Sequence, residues 1–279
     1  MKNVGKMKIF LLIAVFVVES SAFCAEVFQW VDNQGRRHYS DRPHQNADIL
    51  TINPGYSYQK VRKVYDGDTV LLMNGQKVRF LGINTPEVAH RDKEADAGGE
   101  EAKKWLIRKL KNKRIRLERD VEKKDKYGRL LAYVITEDGI HLNLELVKEG
   151  LATANIYPPN LKYVDEFLAA QDRAENARRG LWAYQQYASQ PFTQLQQGNL
   201  RGWKRVTGVI KNIKQTRRNI YLQFDDNFSI KIKRWAMDLF PELEQYRGKK
   251  VEVRGWLHKS KGKITMLVRH PGSIKIYSQ

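Results

Sequence analysis

The chain has one cysteine, Cys24, in 279 residues. No disulfide can form within it, and a thiol nucleophile and a cysteine-rich structural zinc site are both excluded. Its six histidines form no cluster, and His90, near an acidic motif, takes no role. Long apolar runs are missing too. Ile9–Val18 falls far short of the ~20 residues that span a bilayer. Stability must come from apolar cores and any bound ion. Acid is scarce relative to base: 31 Asp and Glu against 50 Lys and Arg, a net charge of +19. That balance favours polyanionic partners, nucleic acid or an anionic surface, though solubility alone also accounts for it.

The charge is unevenly spread. Residues 200–279 hold 19 Lys/Arg against 6 Asp/Glu, whereas residues 58–187 hold 25 against 20. The C-terminal part is the main electrostatic handle; the middle keeps the acids that a metal site needs. At the N-terminus Lys2, Lys6 and Lys8 precede the apolar run, and small residues follow from Ser20 to Ala25. This is the layout of a secretory signal peptide over residues 1–25, cut after Ala22, Cys24 or Ala25. The bulky Phe23 argues against a lipoprotein anchor at Cys24. The expected product is exported, periplasmic or secreted, with no membrane span in the mature chain.

Residues 26–46 read as a short hairpin turning at Asp32-Asn33-Gln34-Gly35, followed by a polar linker from Asn46 to Tyr56. Strands are expected at Gln59–Tyr65, Thr69–Met73 and Lys77–Ile83, the last two joined by Asn74-Gly75. Apolar spacing predicts a helix over Glu94–Leu110, with others at Leu142–Glu149 and Val164–Arg178. Residues 58–187 thus form a small β-barrel with three helices. Gln185–Gly198 reads as a second linker. Beyond it, five short strands with a helix-like insert at Trp235–Gln245 suggest a second barrel of the oligonucleotide-binding type over 200–279.

Tyr65–Glu87 carries the chemistry. Asp66, Asp68, Arg79, Asn84, Thr85 and Glu87 fall on two adjacent strands and their end loops. Asp-Gly is by itself an ordinary turn. Together, however, the acidic oxygens suit a hard cation such as Ca²⁺, and the guanidinium suits phosphate oxygens. Asp125-Lys126-Tyr127-Gly128-Arg129 supplies a second arginine at the foot of the strand beginning at Leu130. Two arginines and a metal can neutralise the charge of a pentacoordinate phosphate, with Glu87 beside the attacking water.

The pieces Asp-Gly-Asp-Thr, Arg-Phe-Leu-Gly-Ile-x-Thr-Pro-Glu and Asp-Lys-Tyr-Gly-Arg occur in one order over roughly residues 58–187. They resemble the staphylococcal nuclease (thermonuclease) family. The resemblance implies an oligonucleotide-binding (OB) barrel with three helices and Ca²⁺-dependent cleavage of DNA and RNA, single-stranded or frayed, leaving 3′-phosphates. It implies that Asp68 and the Thr85 backbone carbonyl hold the metal, with Asp66 an acid just outside its ligands. Glu87 would be the general base or water-positioning acid, and Arg79 and Arg129 the phosphate clamps. Lys126 and Tyr127 would hold a terminal phosphate, and Tyr157 would contact a nucleotide.

Two positions depart. Asn84 stands where the family has an aspartate ligand, so its amide oxygen can coordinate but one charge is lost. Asn155 stands where a tyrosine stacks on the base. Residues 26–46 resemble a small envelope domain of unknown function, through Trp30, Asp32, Gly35, His38, Tyr39, Ser40 and Asp41. In the C-terminal segment, basic residues such as Lys259, Lys261 and Lys263 can track a phosphate backbone, with Tyr221, Trp235 or Trp256 as stacking platforms, unless those aromatics fill the core. No obligate protein partner is evident. The competing reading is an envelope protein that binds nucleic acid without cutting it.

Overall fold

The computed structural model describes residues 26–32, 34–51, 56–89, 94–195, 200 and 202–277. The expected signal peptide, Cys24 and His90 lie outside the described residues. The chain divides into two compact units, residues 1–56 and 57–279.

In the first unit, β1 (Glu26–Val31) is flanked by β2 (Arg37–Ser40) and β3 (Asp48–Thr51), both antiparallel. The expected hairpin therefore has a third strand, taken from the segment read as a linker. Asp32 fixes its turn. Its carboxylate accepts from the backbone N–H groups of Gln34 (2.8 Å) and Arg36 (3.0 Å) and lies 2.9 Å from His38 Nε2. Trp30 stacks against both His38 and His44, with ring centroids 5.3 and 4.1 Å away.

The second unit opens with β4 (Gln59–Val64), β5 (Thr69–Leu72), β6 (Lys77–Phe80), β7 (Ile83–Asn84), α1 (Gly99–Leu110), β8 (Arg114–Glu118) and β9 (Leu130–Thr136). α2 (Leu142–Lys148), β10 (Thr153–Ala154) and α3 (Val164–Asn176) follow. Strands β4-β5-β6-β9-β8 close into a barrel, with β6 parallel to β9 and the other pairs antiparallel. Closure depends on β4, whose register shifts between Val61 and Lys63. The bulge bends the strand, so its later part pairs with β5 and its start with β8. Val70, Leu72, Val78, Phe80 and Val134 fill the interior, each contributing roughly 1.5–3 kcal/mol by burial. α1 buries Ala102, Trp105, Leu106 and Leu110, one helical stripe. It begins five residues later than its periodicity suggests. Gly98 sits at φ 93°, and a Cβ there would lie 2.3 Å from Leu181 Cδ2, so the chain turns there instead of continuing a helix.

Beyond α3 the chain forms β11 (Ser189–Pro191), α4 (Phe192–Leu195), β12 (Trp203–Val209), β13 (Asn212–Gln215), β14 (Asn219–Gln223), β15 (Phe228–Lys233), β16 (Lys250–Ser260), β17 (Lys263–Val268) and β18 (Ile274–Ile276). The described part of the expected second linker has structure: β11 pairs parallel to β12, and Leu195 is buried. β12 and β13 behave as two halves of one bent strand. The first half pairs with β16 and the second with β14. β14 pairs with β15, β15 runs parallel to β17, and β17 pairs with β16. This is the same connectivity as in the first barrel. The helix-like insert is two short 3₁₀ turns, Arg234–Leu239 and Leu243–Tyr246. β15 alternates, with Ile230 and Ile232 buried and Lys231 and Lys233 turned outward. Phe224 and Phe228 fill this core, whereas Trp235 and Trp256 are exposed.

A buried ion network joins the second sheet to α3. Glu175 pairs with Arg205 and Arg254, and both arginines also bind Glu252.

Candidate active site

Asp66, Gly67 and Asp68 form the turn between β4 and β5. Asp66 Oδ1 accepts from the Asp68 N–H at 2.9 Å, closing the turn on itself. Gly67 is required by contact: a Cβ there would meet Thr85 Cγ2 at 2.6 Å and the Ala102 Cβ at 2.7 Å. The turn is therefore pressed against the segment after β7 and against α1.

Asp68 is the buried centre of the cluster, 3% exposed. One oxygen accepts from Thr69 Oγ1 (3.1 Å); the other accepts from the Thr85 N–H (2.8 Å) and lies 3.0 Å from Arg79 Nη2. Arg79 stands on the outward side of β6, between buried Val78 and Phe80. Its guanidinium also donates to the Phe80 carbonyl (2.7 Å) and to Asn84 Oδ1 (3.1 Å). The Asn84 amide in turn donates to the Thr85 carbonyl at 3.0 Å. β10 backs this arrangement: Thr153 pairs with Asn84 and its hydroxyl donates to the Asn84 carbonyl (3.3 Å). Burial and the adjacent Asp68 carboxylate push the Asp66 carboxyl up to about 7. Thr85 Oγ1 is buried without a hydrogen-bond partner.

Glu87 lies beyond this knot. Its side chain is exposed and, among the described residues, makes no ion pair. Its backbone is pinned: the N–H donates to Asp96 Oδ2 (3.3 Å), the carbonyl accepts from the Asp96 N–H (2.9 Å), and Gly99 packs so closely that a Cβ would sit 2.4 Å from that carbonyl.

Arg129 is held separately from Arg79, though nearby in the sheet. In the parallel β6–β9 register Arg79 is opposite Leu131, two residues beyond Arg129, a strand distance of about 7 Å. Arg129 Nε donates to Asp125 Oδ2 at 2.7 Å. Tyr127, 72% exposed, has Lys126 Nζ and the Arg129 guanidinium 4.9 and 5.6 Å from its ring. Lys126, Tyr127 and Arg129 thus present one cationic, aromatic-tipped turn. Among the described residues Tyr157 makes no hydrogen bond or ring contact with either cluster; it is half exposed, with the Arg269 guanidinium 4.2 Å over its ring.

Thr69, Thr153 and Gly67 complete the site without having been singled out in the sequence. Thr69 follows Asp68 in the Asp-Gly-Asp-Thr motif itself; Thr153 has no local signal, because its role arises from β7–β10 pairing.

The family profile described as staphylococcal nuclease homologue matches residues 77–184, which include both arginines and Glu87. A second, a domain of unknown function (DUF4124), matches residues 11–62. The thermonuclease of Staphylococcus intermedius is 36% identical over 185 residues, covering 65% of this chain and 99% of that protein. The chain belongs to the staphylococcal nuclease family. It is a nuclease, a phosphodiester hydrolase. Similarity extends to the thermonuclease of Staphylococcus hyicus, 39% identical over 50% of this chain and 83% of that protein. Endonuclease YncB of Bacillus subtilis (strain 168) is 37% identical, over 57% and 82%. In this nuclease, no described helix is long and apolar enough to cross a membrane.

Proposed function

We propose that this nuclease is exported, depends on Ca²⁺, and cuts single-stranded or frayed DNA and RNA to leave 3′-phosphates. The reading assigns residues 1–25 to a signal peptide, 26–46 to an envelope module, 58–187 to the nuclease domain and 200–279 to a basic OB-like domain. The observation that carries the catalytic part is the knot of Asp68, Arg79, Asn84 and Thr85. It gathers carboxylate, amide and carbonyl oxygens beside a guanidinium.

The donor set fits Ca²⁺. Among the described residues no three His, Cys, Asp or Glu side chains cluster as metal ligands, so a cation here needs amide and backbone oxygens as well. Ca²⁺ accepts that mixture, whereas zinc prefers nitrogen and sulfur. Asp68, Asn84 and the Thr85 carbonyl would hold it, with Asp66 close by. Once bound, the cation would supply Lewis-acid stabilisation of charge on a phosphate oxygen.

The chain's own residues supply the rest. Arg79 and Arg129 offer fixed N–H donors to the oxygens on which charge grows in the transition state. Asp125 and the Phe80 carbonyl hold those guanidiniums in place beforehand. Among the described residues no cation pairs with Glu87, and its backbone is pinned, which suits a base taking the proton of an attacking water. As the new O–P bond forms, the P–O5′ bond breaks and the departing oxygen is protonated, leaving a 3′-phosphate and a 5′-hydroxyl. Tyr127, Lys126 and Tyr157 would bind the flanking phosphate and nucleotide.

The deciding experiment is cleavage of single-stranded DNA and RNA by the mature protein in a Ca²⁺ titration and in chelator, with the ends identified. Activity that needs Ca²⁺, yields 3′-phosphates and falls about a hundredfold or more in Glu87→Gln and Arg79→Ala is expected. Absence of cleavage up to millimolar Ca²⁺ would reject the reading.

A further inference from the structure

The two barrels of the second unit meet in a narrow cleft. Ala154, Asn155 and Ile156 line one side; Gly255, Trp256 and Arg269 line the other. The cleft is close to the candidate active site. The Thr153 hydroxyl donates to the Asn84 carbonyl and the Asn155 N–H donates to the Gly82 carbonyl at 2.8 Å. Tyr157 is four residues beyond Thr153, at most ~14 Å along the chain.

Three side chains stand out: Trp256 and Arg269, which line the cleft, and Tyr157, the next residue after Ile156 of its wall. Trp256 is 41% exposed and Tyr157 49% exposed, although each is large enough to have been buried. Arg269 reaches across from the second barrel and stacks on Tyr157, its guanidinium 4.2 Å from the ring centroid. Among the described residues, Arg269 makes no ion pair with a carboxylate. The contrast with its neighbours is informative. Arg205 and Arg254 are both neutralised by Glu175 and Glu252. Two arginines hold the barrels together; the third lies over the exposed ring of Tyr157. Single exposed aromatics are commonplace. Here Tyr157 lies under the Arg269 guanidinium and Trp256 lines the same cleft as Arg269, which together provide what a nucleotide needs, a π-face for the base and a fork for the phosphate. Asn155 offers no aromatic face of its own; Trp256 brings one from the opposite wall of the cleft.

The position is also fixed in advance. Trp256 lies on β16 two residues beyond Arg254, which the ion network ties to Glu175 on α3. Trp256 is in register with Trp203, whose indole packs 6.0 Å from Trp182. Groups held this way lose little freedom when they bind.

We propose that Tyr157, Arg269 and Trp256 form a composite subsite shared by the two barrels, binding one nucleotide of a single strand beside the cleavage site. Arg269 takes the phosphate and an exposed ring stacks on the base. The proposal rests on the nuclease reading above and assigns the second barrel a direct part in substrate binding.

The test uses the mature full chain and a fluorescein-labelled thymidine octanucleotide, with binding read by anisotropy in excess chelator so that no cleavage intervenes. Arg269→Ala and Trp256→Ala should each raise Kd about tenfold, the range of one stacked base or one phosphate contact. Arg269→Ala should also flatten the salt dependence, lowering the slope of log K against log salt by about 0.7, whereas Trp256→Ala should leave that slope alone. Arg269→Gln serves as a second variant should the alanine form fold poorly, judged by circular dichroism. Lys249→Gln removes an exposed charge of the same barrel outside the cleft and is the control for diffuse electrostatics. Wild-type affinity in the Arg269 and Trp256 variants, or an equal loss in Lys249→Gln, would overturn the proposal. Binding that responds as expected in a protein that cuts nothing with Ca²⁺ would sink the catalytic reading and leave the subsite standing. Cleavage by a protein whose binding ignores both substitutions would do the reverse.

Discussion

Glu252→Gln is the sharpest test of how the second unit is held together. Glu252 is fully buried, at 0% exposure. Its two oxygens accept from Arg205 Nε (2.9 Å), Arg254 Nε (2.7 Å), Arg205 Nη2 (3.0 Å) and the Tyr277 hydroxyl (2.9 Å). Burial pushes the carboxyl up, but the Arg205 hydrogen bonds and the charges of Arg254 and Arg205 outweigh it and hold it at about 2, against an ordinary 4.5. That difference corresponds to about 3 kcal/mol of stability at neutral pH. A second route gives the same size: removing one partner of a buried ion pair typically costs about 3–5 kcal/mol. Glutamine keeps the shape and removes the charge, leaving two guanidiniums facing Glu175 alone. For a unit of this length the melting temperature should fall about 6–12 °C, with the urea m-value unchanged. Between pH 4.5 and about 2 the unfolded state binds this proton and the native state does not. Glu252's contribution is therefore complete above about 4.5 and is lost as pH falls through about 2. The gap between wild type and variant should narrow over that window. A variant melting within a degree of wild type at pH 7, or a gap no smaller at pH 3, would refute the reasoning. Glu244→Gln, which breaks the exposed pair with Arg247, should leave the melting temperature where it is.

Three further outcomes concern the site. Gly67→Ala forces a Cβ into Thr85 and Ala102 and should cost about 1–3 kcal/mol in urea melts; unchanged stability would mean that the Asp66–Asp68 turn is not pressed against α1. Thr85→Val removes a buried hydroxyl without a partner, so chelator-treated protein should be no less stable; a loss above about 1 kcal/mol would show that the hydroxyl is bonded. Asn84→Asp restores a charge beside Asp68. One added charge 4 Å from a divalent ion is worth about 2 kcal/mol even at the dielectric of water, or about thirtyfold in Ca²⁺ affinity. Calorimetry finding no change would remove Asn84 from the ligand set.

Local pattern sufficed wherever one chain segment holds the answer. Asn74-Gly75 placed a turn, found at Gly75 with φ 83°, between two strands that form as expected. It failed where distant contacts decide. The Gln- and Ser-rich segment after Tyr184 reads as linker, yet Tyr187 and Leu195 are spaced to reach two different cores and give it structure. α1 looks five residues longer than it is, because periodicity does not register the packing of Leu181 against Gly98. The β3 strand is short and has no alternation of its own; β1 supplies its partner. Glu175, Arg205, Arg254 and Glu252 carry no motif at all, and neither does Arg269 over Tyr157. Sequence spacing cannot show that such residues meet.

The two barrels of one connectivity also show why only one of them reads as catalytic. In the first, the turn between the first and second strands is Asp66-Gly67-Asp68, and the Asp68 carboxylate faces the Thr85 N–H and Arg79. The equivalent connection in the second barrel, between β13 and β14, is Thr216-Arg217-Arg218. Its carbonyl at Thr216 accepts from Arg234 Nη2 at 3.0 Å, and no carboxylate stands at that turn. Carboxylates at the turn of one copy are replaced by guanidiniums at the turn of the other. The outward lysines of β15 remain, as Arg79 does on β6. A shared fold thus leaves the chemistry to side chains at one turn, and the second barrel carries cationic side chains where the first carries carboxylates.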